Sequence, residues 1–532
     1  MPSASRAPVP GTAEGGPTAA AEAPKPVRRW LVLAVVCSGL LLVAMDATVL
    51  NVALPSIAHQ LSPSAVQLLW IIDLYSLVVA GLLVFAGSLS DRFGRRRVFL
   101  IGLAVFGLAS VVAAMADTTA LLIASRALRG IGGALIMPAT LSVIRNVFTD
   151  ARERGMAIAI WASTASVGTA AGPILAGLLL ESFWWGSVFL LTIPPVLLAA
   201  AGALAWVPES RDPNPGRIDG LSALLSIVGM VGIVYGIKEI AKHGFSDGIS
   251  VAVGVLGVVA LAVFVGRQRQ LSYPMIDLEL FRSRRFTTSA LAVLLSFFGF
   301  FGLLFFITQY FQVVRNLSPL ETGVRMLPLA IASLIAAPLT DVFVRKYGTR
   351  LTLTGGFTVI AASMALFTVL DGESSEVLSV FGLAGVGFGA AIAVTAGSQA
   401  IMVSAPMDRA GGAAAIQETS FELGAGLGVA LLGSLMTALY GHYFDDVAGV
   451  SGAALENARE SLPTAQEQAG RLGEAGQELF TAAQSAFLEA LSITVMAGAV
   501  AMLIIAVLAY LFLPNRVKEQ KELEESGGGG GW

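Results

Sequence analysis

The 532-residue chain is 55% hydrophobic and 13% charged, carries a formal net charge of -3 at pH 7 and has a mean hydropathy of +0.78. That composition excludes a soluble globular domain, and its near-neutral charge gives no field that would draw nucleic acid. The single cysteine, Cys37, excludes an intramolecular disulfide, and no metal site is suggested.

Residues 1–29 are rich in Ala, Pro and Gly without a helical period and read as a disordered tail. The apolar run that follows is too long for the h-region of a signal peptide. Runs of roughly 20 apolar residues, each long enough to cross a bilayer, mark the spans. They lie near 30–54, 66–88, 98–116, 120–143, 155–180, 186–207, 217–237, 249–266, 286–313, 320–344, 351–370, 376–403, 411–440 and 484–513, fourteen in all. They divide as a six-span half over 30–207, two extra spans over 208–266 and a second six-span half over 267–513, followed by a tail at 514–532. The one long loop, 441–483, has an Ala, Glu and Gln content that favours helix. It reads either as a hairpin or amphipathic segment over the outer opening, or as a mobile linker. Arginines and lysines concentrate in alternate loops, such as Arg92, Arg95, Arg96 and Arg97 or Arg282, Arg284 and Arg285, while the opposite face receives Lys238, Lys242, Arg315, Arg325, Arg459 and Arg471. Positive charge stays inside, so both termini are expected in the cytoplasm.

Several spans carry residues that hydrocarbon penalises. The first holds Asp46 within Met45-Asp46-Ala47-Thr48 and the second holds Asp73 within Trp70-Ile71-Ile72-Asp73-Leu74-Tyr75; an ionisable group at that depth is a functional suspect. Between the second and third spans, Gly87-Ser88-Leu89-Ser90-Asp91-Arg92-Phe93-Gly94-Arg95-Arg96-Arg97 combines close helix contact at Gly87, an acid for pairing at Asp91, a turn at Gly94 and arginines for the anionic inner leaflet. Such a loop of latches, with Arg92 and Arg95 in it, can favour one closed state. A fainter copy, Arg345-Lys346-Tyr347-Gly348-Thr349-Arg350, follows the tenth span without the acid, as expected for two parallel halves. The fourth span holds Arg126 in Ser125-Arg126-Ala127-Leu128-Arg129, which calls for a carboxylate partner, with Asp46 the leading candidate and Arg129 the less certain participant. A purely structural ion pair is the alternative.

In the fifth span, Gly168, Gly172 and Gly177 flank Pro173. Small residues admit a close neighbour, and the proline bends the helix into a candidate pivot. The ninth span is crowded with aromatics from Phe297 to Phe311, of which a minority, Phe305 included, can offer cation–π surface to a cavity. Tyr75, Met137, Trp161 and Gln417 are further cavity candidates. In the thirteenth span Glu418 and Glu422 are four apart and share a helical face. Joint ionisation of two such carboxylates is disfavoured, so at least one is expected to hold a proton near neutral pH.

Taken together, the segments Asp46 to Pro55, Trp70 to Leu77, Gly87 to Arg97, Leu122 to Gly133 and Gly168 to Gly177 resemble the fourteen-span drug:proton antiporters of the major facilitator superfamily. The resemblance implies an all-α membrane protein with a major facilitator fold of 14 transmembrane helices arranged 6 + 2 + 6. It also implies a multidrug efflux antiporter of the bacterial cytoplasmic (inner) membrane that expels quaternary ammonium compounds, ethidium-like dyes and other lipophilic cations. The drive is proton entry, with no cofactor, and the expected partners are the cations, protons and the lipid bilayer, with no nucleic acid and the chain acting as a monomer. Asp46 and Asp73 match positions where the family carries membrane carboxylates for protonation or cation binding, and the Gly172-Pro173 motif is regarded as a mark of antiporters. Related pumps can show an acid where this chain has Gln417, and another in the tenth span where it has Ile331, Ala332 and Ser333. That departure puts divalent-cation handling in doubt. The expected mechanism is rocking of two halves, with cation and proton competing for the same carboxylates, so that Asp46→Asn abolishes proton-coupled export. A dedicated exporter of a single antibiotic or metabolite is the alternative. An enzyme finds no support, since His59, His243 and His442 lie near loops and no nucleotide loop is present.

Overall fold

The computed structural model describes residues 28–211, 219–243, 247–271, 274–370, 376–404, 410–444, 452–472 and 474–513, and among them all regular structure is helical. The expected terminal tails fall almost wholly outside these residues. The first group of helices is α1 (Arg29–Leu61), α2 (Ala65–Phe93), α3 (Arg95–Ala114), α4 (Thr119–Val147), α5 (Ala151–Leu180), the short α6 (Ser187–Leu190) and α7 (Ile193–Trp206). A hairpin of α8 (Gly220–His243) and α9 (Gly248–Gln268) follows. The last group is α10 (Arg284–Gln309), α11 (Pro319–Arg325), α12 (Leu327–Leu366), α13 (Glu376–Ser404), α14 (Ala410–Tyr443), α15 (Ala453–Glu460), α16 (Leu462–Arg471) and α17 (Glu474–Phe512).

Twelve helical segments among the described residues are long and apolar enough to cross a membrane. Helices are the natural solution there, because each backbone polar group is satisfied within its own segment. Their starts are written locally: Ser64 and Ser318 close reciprocal caps with Gln67 and Glu321, and Thr118, Asp150 and Ser283 accept from first-turn amides. One of the twelve runs over Pro319–Val369 for 51 residues, longer than any bilayer requires. It is broken at Gly348, whose backbone takes φ 80° and ψ 163°. Gly94, at the matching turn of the first group, takes φ 110° and ψ 133°. Both lie in a region that essentially only glycine occupies, so the faint sequence repeat corresponds to one backbone turn used twice. The acid missing from the second copy is supplied one turn earlier, where Asp341 pairs with Arg345; in the first copy Asp91 accepts from Arg95 at 3.0 Å.

Within the first half α1 packs on α5 and α4, while α2 and α3 pack on α4; in the second, α12 packs on α13 and α17, and α10 on α14. The halves meet where α14 lies along α2 and α11 against α5, and α8 lies on both α2 and α14. Two differences from the expected spans bear on function. α8 continues past residue 237 to His243 and takes Lys238 into the helix. The stretch 441–483 contains α15 and α16, and α16 rests on α1 and α17, with Ser62 Oγ donating to Glu467 Oε2 at 2.7 Å.

Candidate functional site

Asp46 sits midway along α1 and is 1% exposed. Arg126 donates to its Oδ2 from Nη1 at 2.6 Å, and Arg129, one turn on along α4, pairs with Oδ1. Helical spacing brings both guanidinium groups to one face. Arg126 is held further by the Ile71 carbonyl, which accepts from Nε at 2.8 Å, and by the Tyr75 ring at 4.7 Å. Arg129 is wedged between the rings of Phe106 at 4.5 Å and Phe189 at 5.0 Å, and its Nε and Nη1 lack hydrogen-bond partners. Two cations on one carboxylate leave this buried cluster with a net positive charge.

Asp73 on α2 is paired as well. Its Oδ2 lies 2.7 Å from Lys238 Nζ, with both side chains 0% exposed, and the ammonium sits 4.0 Å from the Trp70 ring centroid. Burying either charge alone would cost several kcal/mol. Lys238 was expected at the outer face; its signal in the sequence was an acid in the second span that needed a cation.

Glu418 and Glu422 differ from both. They lie one turn apart on α14, are half-buried, and have no salt-bridge partner among the described residues. Glu422 is close enough to Ser76, and to Asp46 and Arg126 across the seam between the halves, for all three to act on it. Glu418 and Glu422 feel one another. Beside them Phe421 packs on Phe297 with ring centroids 4.6 Å apart, and Phe297 stacks on Phe301 at 5.8 Å. This aromatic face was not singled out within the ninth-span cluster.

Among the cavity candidates, Trp161 is half-buried and donates to Thr140 Oγ1 at 3.1 Å, and Gln417 is half-buried with its Oε1 unpartnered. Met137 is buried, and Tyr75 is buried beneath Arg126. Phe305 lies elsewhere, packed edge-on against Phe306 near Met436 and Tyr440. A groove of about 690 Å³ lined by His442, Tyr443, Gln477, Glu478 and Glu489 lies at the far end of α14, away from Glu418 and Glu422.

The small-residue motif of α5 lies at two junctions. A Cβ on Gly168 would stand 2.9 Å from Ala44 Cβ, and one on Gly172 would stand 2.2 Å from Thr48 Oγ1, so both lie against α1 around Asp46. A Cβ on Gly177 would stand 2.6 Å from Leu320 Cα, in the other half. Pro173, between them, faces Gly323 of α11. In the α2–α3 loop, Gly87 lies near Pro138, while Arg92 is exposed. Arg95 N donates to Ser210 O at 3.0 Å and Arg96 N to Glu209 Oε1 at 3.2 Å, so the loop is latched to the segment after α7.

The family model for the Major Facilitator Superfamily matches residues 36–429. The chain is 41% identical to the "Multidrug efflux pump LfrA" of Mycolicibacterium smegmatis, over 91% of this chain and 96% of that protein. It is 37% identical to the "Methyl viologen resistance protein SmvA" of Salmonella typhimurium, over 90% and 97%, and 31% identical to the "Tetracenomycin C resistance and export protein" of Streptomyces glaucescens, over 94% of each. In fold it is similar to a bacterial homolog of the human lysosomal transporter Spinster, in an inward-facing and unoccupied conformation, with a TM-score of 0.65, 19% identity, and coverage of 92% of this chain and 98% of that one.

Proposed function

The chain belongs to the major facilitator superfamily, and on that premise we propose that it is a proton-coupled antiporter that expels lipophilic cationic drugs across the bacterial cytoplasmic membrane. The observation that carries this is the contrast among the carboxylates Asp46, Asp73, Glu418 and Glu422. Asp46 and Asp73 are matched to cations of the protein itself, whereas among the described residues Glu418 and Glu422 are not, and they lie at the seam beside aromatic faces. We assign cation and proton exchange to Glu418 and Glu422, with Asp46, Arg126 and Arg129 as the fixed positive group they face. A cation beside them displaces a proton, and a proton arriving from outside releases the cation, so linkage alone couples the two fluxes. No covalent step is needed, which fits a transporter and not an enzyme. The names of the relatives support drug export, and methyl viologen is itself an organic dication.

We read the topology as fourteen spans with both termini inside, and the protein as a monomer. The 30-residue α5 counts as a span, and the 51-residue stretch counts twice because it breaks at Gly348. The contacts of Gly177 with Leu320, and of Gln312 with the Val52 carbonyl at 2.9 Å, join the halves toward the outer ends of α1 and α5. That placement supports an inward-facing state with α5 and α11 as a pivot and the α2–α3 loop as a latch.

The test is accumulation of a fluorescent lipophilic cation in proteoliposomes that are acidic on the receiving side. Accumulation that collapses with a protonophore is expected; none, in vesicles that hold their gradient, overturns the reading. The relative named for tetracenomycin C export favours a second reading, a dedicated exporter of one compound. Recognition of several unrelated cations rules that out.

A further inference from the structure

We propose that Lys238 is a positioning residue for export: from the extra hairpin it supplies the permanent counter-charge of Asp73, and so fastens α8 to the first half across the seam where α2 meets α14. The proposal rests on the export reading above and gives a task to helices that lie outside either six-helix half.

The ammonium and the carboxylate are 2.7 Å apart and fully buried. Trp70 covers the ammonium at 4.0 Å, and Tyr235 lies tilted against Trp70 at 6.3 Å. A carboxylate beside an indole face is what a lipophilic ammonium seeks; here a tethered one already holds it. The charged groups acting on Asp73 are Lys238 from α8 and Arg126 from α4, and Glu239 acts on Lys238. Asp73 therefore stands among cations of the protein.

The pair also stands at a junction of three parts of the chain. One turn along, Leu77 of α2, Val234 of α8 and Ala430 of α14 form an apolar cluster, with Met230 and Leu427 against it. Further along α2 the Gly81 carbonyl accepts from Ser226 Oγ of α8 at 2.9 Å. α8 is thus tied to α2 by an ion pair and a hydrogen bond at two depths, and it meets α14 in this cluster through apolar side chains. Ion pairs and hydrogen bonds fix register, whereas apolar surfaces can slide. When the halves rock, the hairpin travels with α2 and α14 moves past it, and the ion pair decides which half the hairpin follows.

Four variants test this in proteoliposomes, with a fluorescent lipophilic cation as cargo. Lys238→Met and Asp73→Asn each leave a buried charge unpaired, and each should lower kcat by about tenfold or more with KM changed by less than about threefold. Lys238→Arg should stay within about threefold of wild type. The double variant Asp73→Asn with Lys238→Met leaves no unpaired charge and should recover to within about threefold, with the wild-type pH dependence. A double variant as slow as Asp73→Asn alone would show that Asp73 itself carries proton or cargo, and Lys238→Met at the wild-type rate would show that the pair does nothing; either result overturns the proposal. Should the single variants fail to fold, the double variant still decides. Failure of the wild type to accumulate the cation would strike the export reading instead.

Discussion

Asp46 depends unequally on its two arginines, because they are bonded differently. Arg126 also satisfies the Ile71 carbonyl, whereas among the described residues Arg129 hydrogen-bonds only to Asp46. Arg129→Gln leaves a neutral one-to-one pair, and should cost less than about 2 kcal/mol. Asp46→Asn leaves two guanidinium groups buried without an anion and should cost about 3–5 kcal/mol, with Arg126→Gln in between. Thermal unfolding in detergent gives the order, and an Asp46→Asn protein that melts with the wild type would show that the cluster does not hold α1 to α4. Transport lost with Asp46→Asn is therefore a poor sign of proton coupling, since lost stability goes with it. Glu422→Gln is cleaner: the amide keeps the size of the carboxyl and removes only the group that can exchange a proton. It should remove pH-driven accumulation with little change in melting temperature, and retained accumulation would move the exchange to another acid. The Asp46–Arg126 pair was legible in the sequence, since each is a charge in a span and each needs the other. Lys238 was not, because a hydropathy window ends a span at the first charge and cannot tell a lysine that leaves the membrane from one buried beneath Trp70.

The helix contacts around α5 rank its glycines. A Cβ at Gly172 would press first on the Thr48 hydroxyl, with the nearest backbone atom 3.1 Å away, while one at Gly177 would meet only backbone, the Pro319 and Leu320 atoms at 2.6–2.9 Å, which cannot give way by a side-chain shift. Gly177→Ala should slow export more than Gly172→Ala, by about tenfold, with cation binding retained; equal rates for the two would remove α5–α11 from the pivot. The inner end of the α8–α9 hairpin is closed by Asp219, which accepts from Arg267 at 3.0 and 3.1 Å and from Ser222. Burial raises the Asp219 carboxyl, but the Arg267 and Ser222 donors together outweigh it and hold the pKa at about 2. A depressed carboxylate contributes its stability above its unfolded value and loses it as pH falls through the folded one. The melting gap between wild type and Asp219→Asn, worth about 1 kcal/mol or less after screening, should be flat from neutral pH to about 5 and close as pH falls from about 4 toward 2. A gap that widens on acidification would contradict that pairing. The helices themselves were legible, because hydropathy and length mark them. The break near Gly348 was legible too, since hydropathy ends one span at 344 and starts the next at 351; that it repeats the backbone turn of Gly94 was only faintly so, because the two loops share little beyond a glycine and basic residues.

Seen whole, the chain sets its charges asymmetrically. Asp46 and Asp73 of the first half are matched by arginine and lysine, whereas Glu418 and Glu422 of the second half face the seam without a cation among the described residues. With Gln417 in place of a further acid, the exchange site has two carboxylates one turn apart. Two such groups resist joint ionisation unless positive charge arrives between them. A monovalent cation should release one proton, and a divalent cation should release both. The charge of the loaded site is then the same for either cargo and equals that of the doubly protonated form, so the carrier crosses between states without moving net charge. Membrane potential, worth about 2.3 kcal/mol per elementary charge per 100 mV, should drive neither cargo. At equilibrium a monovalent cation accumulates in proportion to the proton ratio and a divalent cation in proportion to its square, which for one pH unit is about tenfold against about a hundredfold. Proteoliposomes loaded with ethidium or methyl viologen, under a pH gradient clamped at zero potential and then under a potential at equal pH, measure both. Uptake driven by potential alone would mean that the proton count does not follow the charge of the cargo, and that Glu418 and Glu422 do not act as one charge-matching pair.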